Sequence, residues 1–129
     1  MRTAGMFVEL GQTRHPGPPE RIADHLGAGP LDDADLVTQY LDHGYQLIDM
    51  MDVERDVLAP DQQFLSGSSI LTDGEWLWRR DLSHYVRRHH VTLPRDLLAG
   101  IRERAYTMPS VDEERLVALT RYAEHLAFG

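Results

Sequence analysis

The dipeptide Asp73-Gly74 constrains this chain more than any other feature, because it separates two apolar runs, Ser69-Ile70-Leu71-Thr72 and Trp76-Leu77-Trp78. Asp-Gly suits a two-residue turn that requires positive φ angles, and the flanking runs then pair as an antiparallel hairpin. In that register Leu71 faces Trp76 and Ser69 faces Trp78, while Ile70 faces Leu77 on the opposite side. Both indoles share a face with Leu71, where each large ring gains most by burial beneath helices. The chain is therefore expected to fold around a small antiparallel ribbon.

From Tyr45 to Val53 the apolar period is also two, with both faces partly apolar, as a central strand requires. Met6 to Leu10 reads as an opening strand broken by the His15 to Pro19 run, HPGPP. Elsewhere the spacing is helical. Ile22, Ala23 and Leu26 follow Pro19 and stop at Gly27. Leu36, Val37, Tyr40 and Leu41 follow a cap at Asp32 or Asp33 and end at His43 and Gly44. Leu82, Tyr85, Val86 and His89 form a stripe with Arg80, His84, Arg87 and Arg88 outside it. Pro94 opens a helix carrying Leu97, Leu98 and Ile101, and Pro109 marks its end. Ser110 and Glu113 read as a capping box before Leu116, Leu119, Ala123 and Leu126. The expectation is a single α+β domain over 1–129, with a mostly antiparallel sheet (strands near 6–10, 45–53, 65–72 and 75–79) packed by four to five helices.

Composition excludes several chemistries. Cysteine is absent, which removes disulfides, thiol nucleophiles and thiolate zinc sites. Lysine is absent too, so all 13 basic residues are arginine, and no phosphate-loop, Schiff-base or kinase-strand lysine exists. Gly27 to Pro30, GAGP, lacks the third glycine and the preceding strand of a dinucleotide loop. No run of about 18 apolar residues and no secretory leader pattern is present, so a soluble, cytoplasmic protein without membrane association is expected.

Charge is uneven: up to Glu75 fourteen acids oppose four arginines, and beyond it nine arginines oppose seven acids, which together give the net −8. Such a charge repels nucleic acid at long range and favours a basic partner protein. The acids Asp49, Asp52, Glu54 and Asp56 form the expected docking surface for it. They fail the helix-loop-helix calcium pattern, since a loop started at Asp52 places Val57 at the turn glycine and Gln63 at the bidentate glutamate. His84, His89 and His90 lie at i, i+5 and i+6, whereas a zinc helix uses i and i+4, so no metal and no cofactor are expected. His89 reads as partly buried, His84 and His90 as exposed. Ser66, Ser68, Ser69 and Ser83 lack a nucleophile-elbow pattern, and no catalytic residue is assigned.

Should the rings instead be exposed, Trp76 and Trp78 beside Arg80, His84, Arg87 and Arg88 form a second candidate binding surface, on the composition of a protein-binding hot spot. Two alternatives use the same residues: a small-molecule enzyme with a histidine base near the tryptophans, and a single-stranded nucleic-acid binder stacking bases on exposed indoles beside the arginines.

The order YLDHG (Tyr40–Gly44), a strand, SILTDGEWLW (Ser69–Trp78) and LSHYVRRHHVTLP (Leu82–Pro94) resembles small uncharacterised bacterial proteins with an LTDGxWxW hairpin. The likeness spans roughly Tyr40 to Leu98. It implies an immunity or accessory factor of a bacterial toxin system, a stoichiometric binder rather than a catalyst. It also implies a proline soon after the second tryptophan, where this chain has Arg79 and Arg80. The functional expectation is thus a non-enzymatic, immunity-like protein-binding module.

Overall fold

The structure is a computed structural model that describes residues 2–11 and 17–128. Of the HPGPP run, His15 and Pro16 lie outside the described residues. The elements in chain order are β1 (Arg2–Ala4), α1 (Ala34–Asp42), β2 (Tyr45–Ile48), β3 (Val53–Asp56), β4 (Ala59–Leu65), β5 (Ile70–Thr72), β6 (Trp76–Arg79), α2 (Leu82–His89), α3 (Arg95–Glu103) and α4 (Glu113–Phe128), with 3-10 turns at Val8–Leu10 and Ile22–His25. This is an α+β fold. Four strands form a mixed sheet in the order β1-β6-β5-β2, and β3 and β4 form a separate two-stranded sheet.

Alternation along the hairpin sorts the core into two layers. Leu71, Trp76 and Trp78 join Val37, Tyr40, Leu41, Tyr85 and Leu97 on the face covered by α1, α2 and α3. Ile70 and Leu77 join Met6, Ile48, Leu119, Ala123 and Leu126 on the face covered by α4. Both indoles are buried, Trp78 completely, with its ring N–H donating to the Leu41 carbonyl at 3.1 Å. The expected sharing of a face by Leu71, Trp76 and Trp78 is what the sheet shows.

The turn is wider than expected. Thr72 pairs with Leu77 and Leu71 with Trp78, so Asp73 to Glu75 link β5 to β6 and the register moves by two residues, which preserves the faces. The cause is Asp73, whose carboxylate accepts the Glu75 and Trp76 amides at 2.9 Å each and the Tyr40 hydroxyl at 2.7 Å. That side-chain turn closes the loop in place of the ladder, and only Gly74 takes a positive φ, +100°.

Further boundaries differ: the expected 65–72 strand shortens to β5, with Leu65 ending β4, and the helix expected to end at Pro109 stops at Glu103. The opening strand is β1, pairing parallel with β6, and part of the expected 6–10 strand is the 3-10 turn Val8–Leu10. The expected 45–53 strand divides: β2 slips register between Gln46 and Ile48, and the chain leaves the sheet to begin β3. The expected helix after Pro19 tightens to a 3-10 turn. Asp112, not Ser110, caps α4, its carboxylate accepting the Arg115 amide at 2.7 Å.

Candidate functional site

The β3–β4 hairpin obeys a period of two that separates an anchored face from a free one. Val53 opposes Leu65, Glu54 opposes Phe64, and Arg55 opposes Gln63. Glu54, Asp56 and Phe64 turn toward the body of the protein, while Val53, Arg55, Gln63 and Leu65 face solvent.

Asp56 is the anchor. It begins the Val57-Leu58 turn, and its Oδ1 accepts the amides of Leu58 and Ala59 at 2.8 and 3.1 Å. Its Oδ2 meets Nε2 of both His84 and His89, at 2.6 and 2.5 Å. The carboxylate is completely buried, and the two imidazoles are 28% and 17% exposed. Burial alone would raise its pKa, but the hydrogen bonds from His84, His89 and the Leu58 amide hold it below the ordinary carboxylate range. The Val57 amide donates to the Tyr85 hydroxyl at 3.0 Å, and burial pushes that phenol up to about 12, so it stays protonated. Phe64 lies on the His84 ring at 4.8 Å between centroids. The tip of the hairpin is thereby laid across α2.

His84 and His89 converge although five helical residues separate their directions by roughly 140°. Their rings stand 6.0 Å apart between centroids, each also against the Tyr85 ring at 5.4 and 5.9 Å, and both reach Oδ2 of Asp56. Beside this cluster Arg79 is buried and forks onto both carboxylate oxygens of Asp81, at 3.2 and 2.9 Å, while approaching Glu54 at 3.7 Å. Burial pushes the Asp81 carboxyl up to about 6 against the lowering effect of Arg79. Arg79, on β6, therefore links the hairpin to the four-stranded sheet.

These contacts correct the expected acidic docking surface. Asp56 is buried, Asp52 bonds Ser68 Oγ at 2.9 and 3.0 Å, and Glu54 faces Arg79. Of that series Asp49 is exposed, as is Asp61 on β4. Trp76 and Trp78 are core and cannot serve as a binding surface. Arg80 is half-buried and donates to Gln46 Oε1 at 2.5 Å, and its Nε is buried without a partner among the described residues. His84, expected to be exposed, is half-buried against Asp56. Arg87 and Arg88 are exposed as expected, with Arg87 donating to Thr38 Oγ1 at 2.6 Å.

What composition alone left unmarked is the free face of the hairpin. Nine large hydrophobic residues are exposed among the described residues, and five of them, Met51, Val53, Val57, Leu58 and Leu65, fall within 51–65. Met51 is 89% and Leu65 73% exposed. Four surface concavities occur elsewhere, beside Asp73 and Arg115, Val8 and Arg21, Leu31 and Leu98, and Phe7 and His25, and none of these four borders Asp56, His84 or His89. Among the described residues no helix is long and apolar enough to cross a membrane. No protein-family model, curated protein or solved structure matches the chain.

Proposed function

We propose that this protein is a non-enzymatic protein-binding module whose docking element is the β3–β4 hairpin. The observation that carries the reading is the exposure of five large hydrophobic residues within 51–65: Val53 and Leu65 paired on the outward face of the sheet, Val57 and Leu58 in its turn, and Met51 just before β3. Clustered exposed apolar side chains are the composition of an interaction surface, and a small sheet with unpaired edges adds main-chain donors and acceptors for a partner strand. Asp49 precedes the apolar residues and Asp61 lies among them on β4, both exposed, and they favour a partner that adds basic groups. The finer reading, a cytoplasmic bacterial immunity or accessory factor, rests on the resemblance of the Tyr40–Leu98 region.

Neither alternative gains comparable support. Buried indoles offer no stacking platform for nucleic acid. The imidazoles of His84 and His89 face a carboxylate at a seam, with none of the four concavities beside them to hold a substrate.

The test is affinity capture from the source organism with the native protein and with Val53→Asp/Leu65→Asp, the circular dichroism of both being recorded. A specifically captured protein should be lost with the folded double variant and kept by an Arg121→Ala control. Equal capture by the double variant would exclude the hairpin as the docking element.

A further inference from the structure

We propose that Asp56, His84 and His89 form a binding site for one divalent first-row transition-metal ion of the zinc class, which locks the hairpin onto α2. The site stands whether or not the hairpin docks a partner. Three observations carry it.

First, one ligand atom from each residue, Oδ2 of Asp56 and Nε2 of each imidazole, lies within 4.8 Å of the other two. Two imidazoles and one carboxylate are a donor set that zinc and its neighbours accept, leaving a further position for water. Metal–ligand arms of about 2.0–2.2 Å in a tetrahedron set ligand atoms roughly 3.3 Å apart. The 2.5 and 2.6 Å contacts would open by several tenths of an ångström to admit the ion, with the partly exposed imidazoles turning to meet it. The remaining exposure of the two rings gives the ion a path in.

Second, the carboxylate is held from behind. The Leu58 and Ala59 amides on Oδ1 orient Oδ2 toward the rings, and metal-bound carboxylates are ordinarily oriented by such outer hydrogen bonds. Third, Asp56 is a fully buried charge whose ion pairs are with His84 and His89 alone among the described residues. An imidazole balances that charge only when protonated; a divalent ion balances it with both rings neutral. The helix spacing that argues against a two-histidine zinc motif does not apply, because the third ligand comes from another element and sits between the rings.

The experiment uses the full chain, freed of metal with a chelator and titrated with Co²⁺ at neutral pH, followed by visible absorption and then by Zn²⁺ competition. One equivalent should bind with a low-symmetry, four- or five-coordinate spectrum that Zn²⁺ abolishes. His84→Gln and His89→Gln, each folded by circular dichroism, should each weaken binding at least roughly tenfold, and Zn²⁺ should slow hydrogen exchange across 53–65 in the native protein alone. Asp56→Asn serves as a third variant if it folds; the imidazole variants answer the question without it. Octahedral spectra with no saturable equivalent, or unchanged affinity in both imidazole variants, would overturn the site and assign any binding to other histidines.

Discussion

Asp56→Ala is expected to release the hairpin while the main sheet stays folded. The substitution strands the Leu58 and Ala59 amides at the turn and removes the oxygen shared by His84 and His89. A hydrogen bond to a charged acceptor contributes about 1.5–3 kcal/mol, and both amides make one at this turn. The partly exposed imidazoles regain water, so the two amides dominate and the net loss comes to about 3 kcal/mol. That corresponds to a roughly hundredfold rise in the opening constant of the hairpin. Because β3 and β4 share no ladder with the four-stranded sheet, the loss should be local. Hydrogen exchange read by mass spectrometry checks this: peptides within 53–65 should exchange faster by about that factor, while peptides across Ile70–Arg79 should not change. Asp56→Asn keeps an Oδ1 for the two amides and should cost about 1 kcal/mol. Unchanged hairpin exchange in Asp56→Ala, or equal acceleration of both regions, would refute the role given to this carboxylate.

Other predictions concern the frame that carries the hairpin. Trp78→Ala removes the largest fully buried side chain among the described residues and leaves the Leu41 carbonyl without its indole donor, so urea denaturation should show a loss of about 3–5 kcal/mol; a loss near 1 kcal/mol would mean that the ring is peripheral. Gly44→Ala would place a Cβ 2.8 Å from Trp78 and 3.0 Å from Leu71, and overpacking of about 1–3 kcal/mol should appear in the same assay. Asp33 is held at about 2 by its hydrogen bonds from Arg102 and Tyr106. A depressed carboxyl stabilises the fold above its unfolded pKa of about 3.9, and that contribution disappears as pH falls toward 2. Solvent screening limits it to about 1 kcal/mol. Asp33→Asn should therefore flatten the acid limb of the stability curve between about pH 4 and 2, and parallel curves for the two proteins would contradict the pairing.

The parts of the fold governed by local periodicity were legible in the sequence. Leu71, Trp76 and Trp78 share a face because side-chain alternation survives a two-residue change of register, and the α2 stripe of Leu82, Tyr85 and Val86 is buried as its spacing requires. What escaped depended on partners distant in sequence. Asp73 closes its loop through its own carboxylate and Tyr40, so Asp-Gly alone indicated a tighter turn. Asp56, one acid in an acidic run, is buried because two histidines roughly thirty residues later reach it, and no spacing within either segment encodes that meeting. The alternation of Val53 and Arg55 against Glu54 and Asp56 was the available signal. It was obscured because an unbroken period from Tyr45 merged two strands that belong to different sheets.

The central claim is that partners dock on the outward face of the β3–β4 hairpin, and a hydrogen-exchange footprint of the captured complex tests it most directly. Protection should concentrate on peptides covering 51–65 and leave the Arg87 and Arg88 face of α2 unaltered. Protection of that arginine face, with exchange across 51–65 the same as in the free protein, would contradict the account.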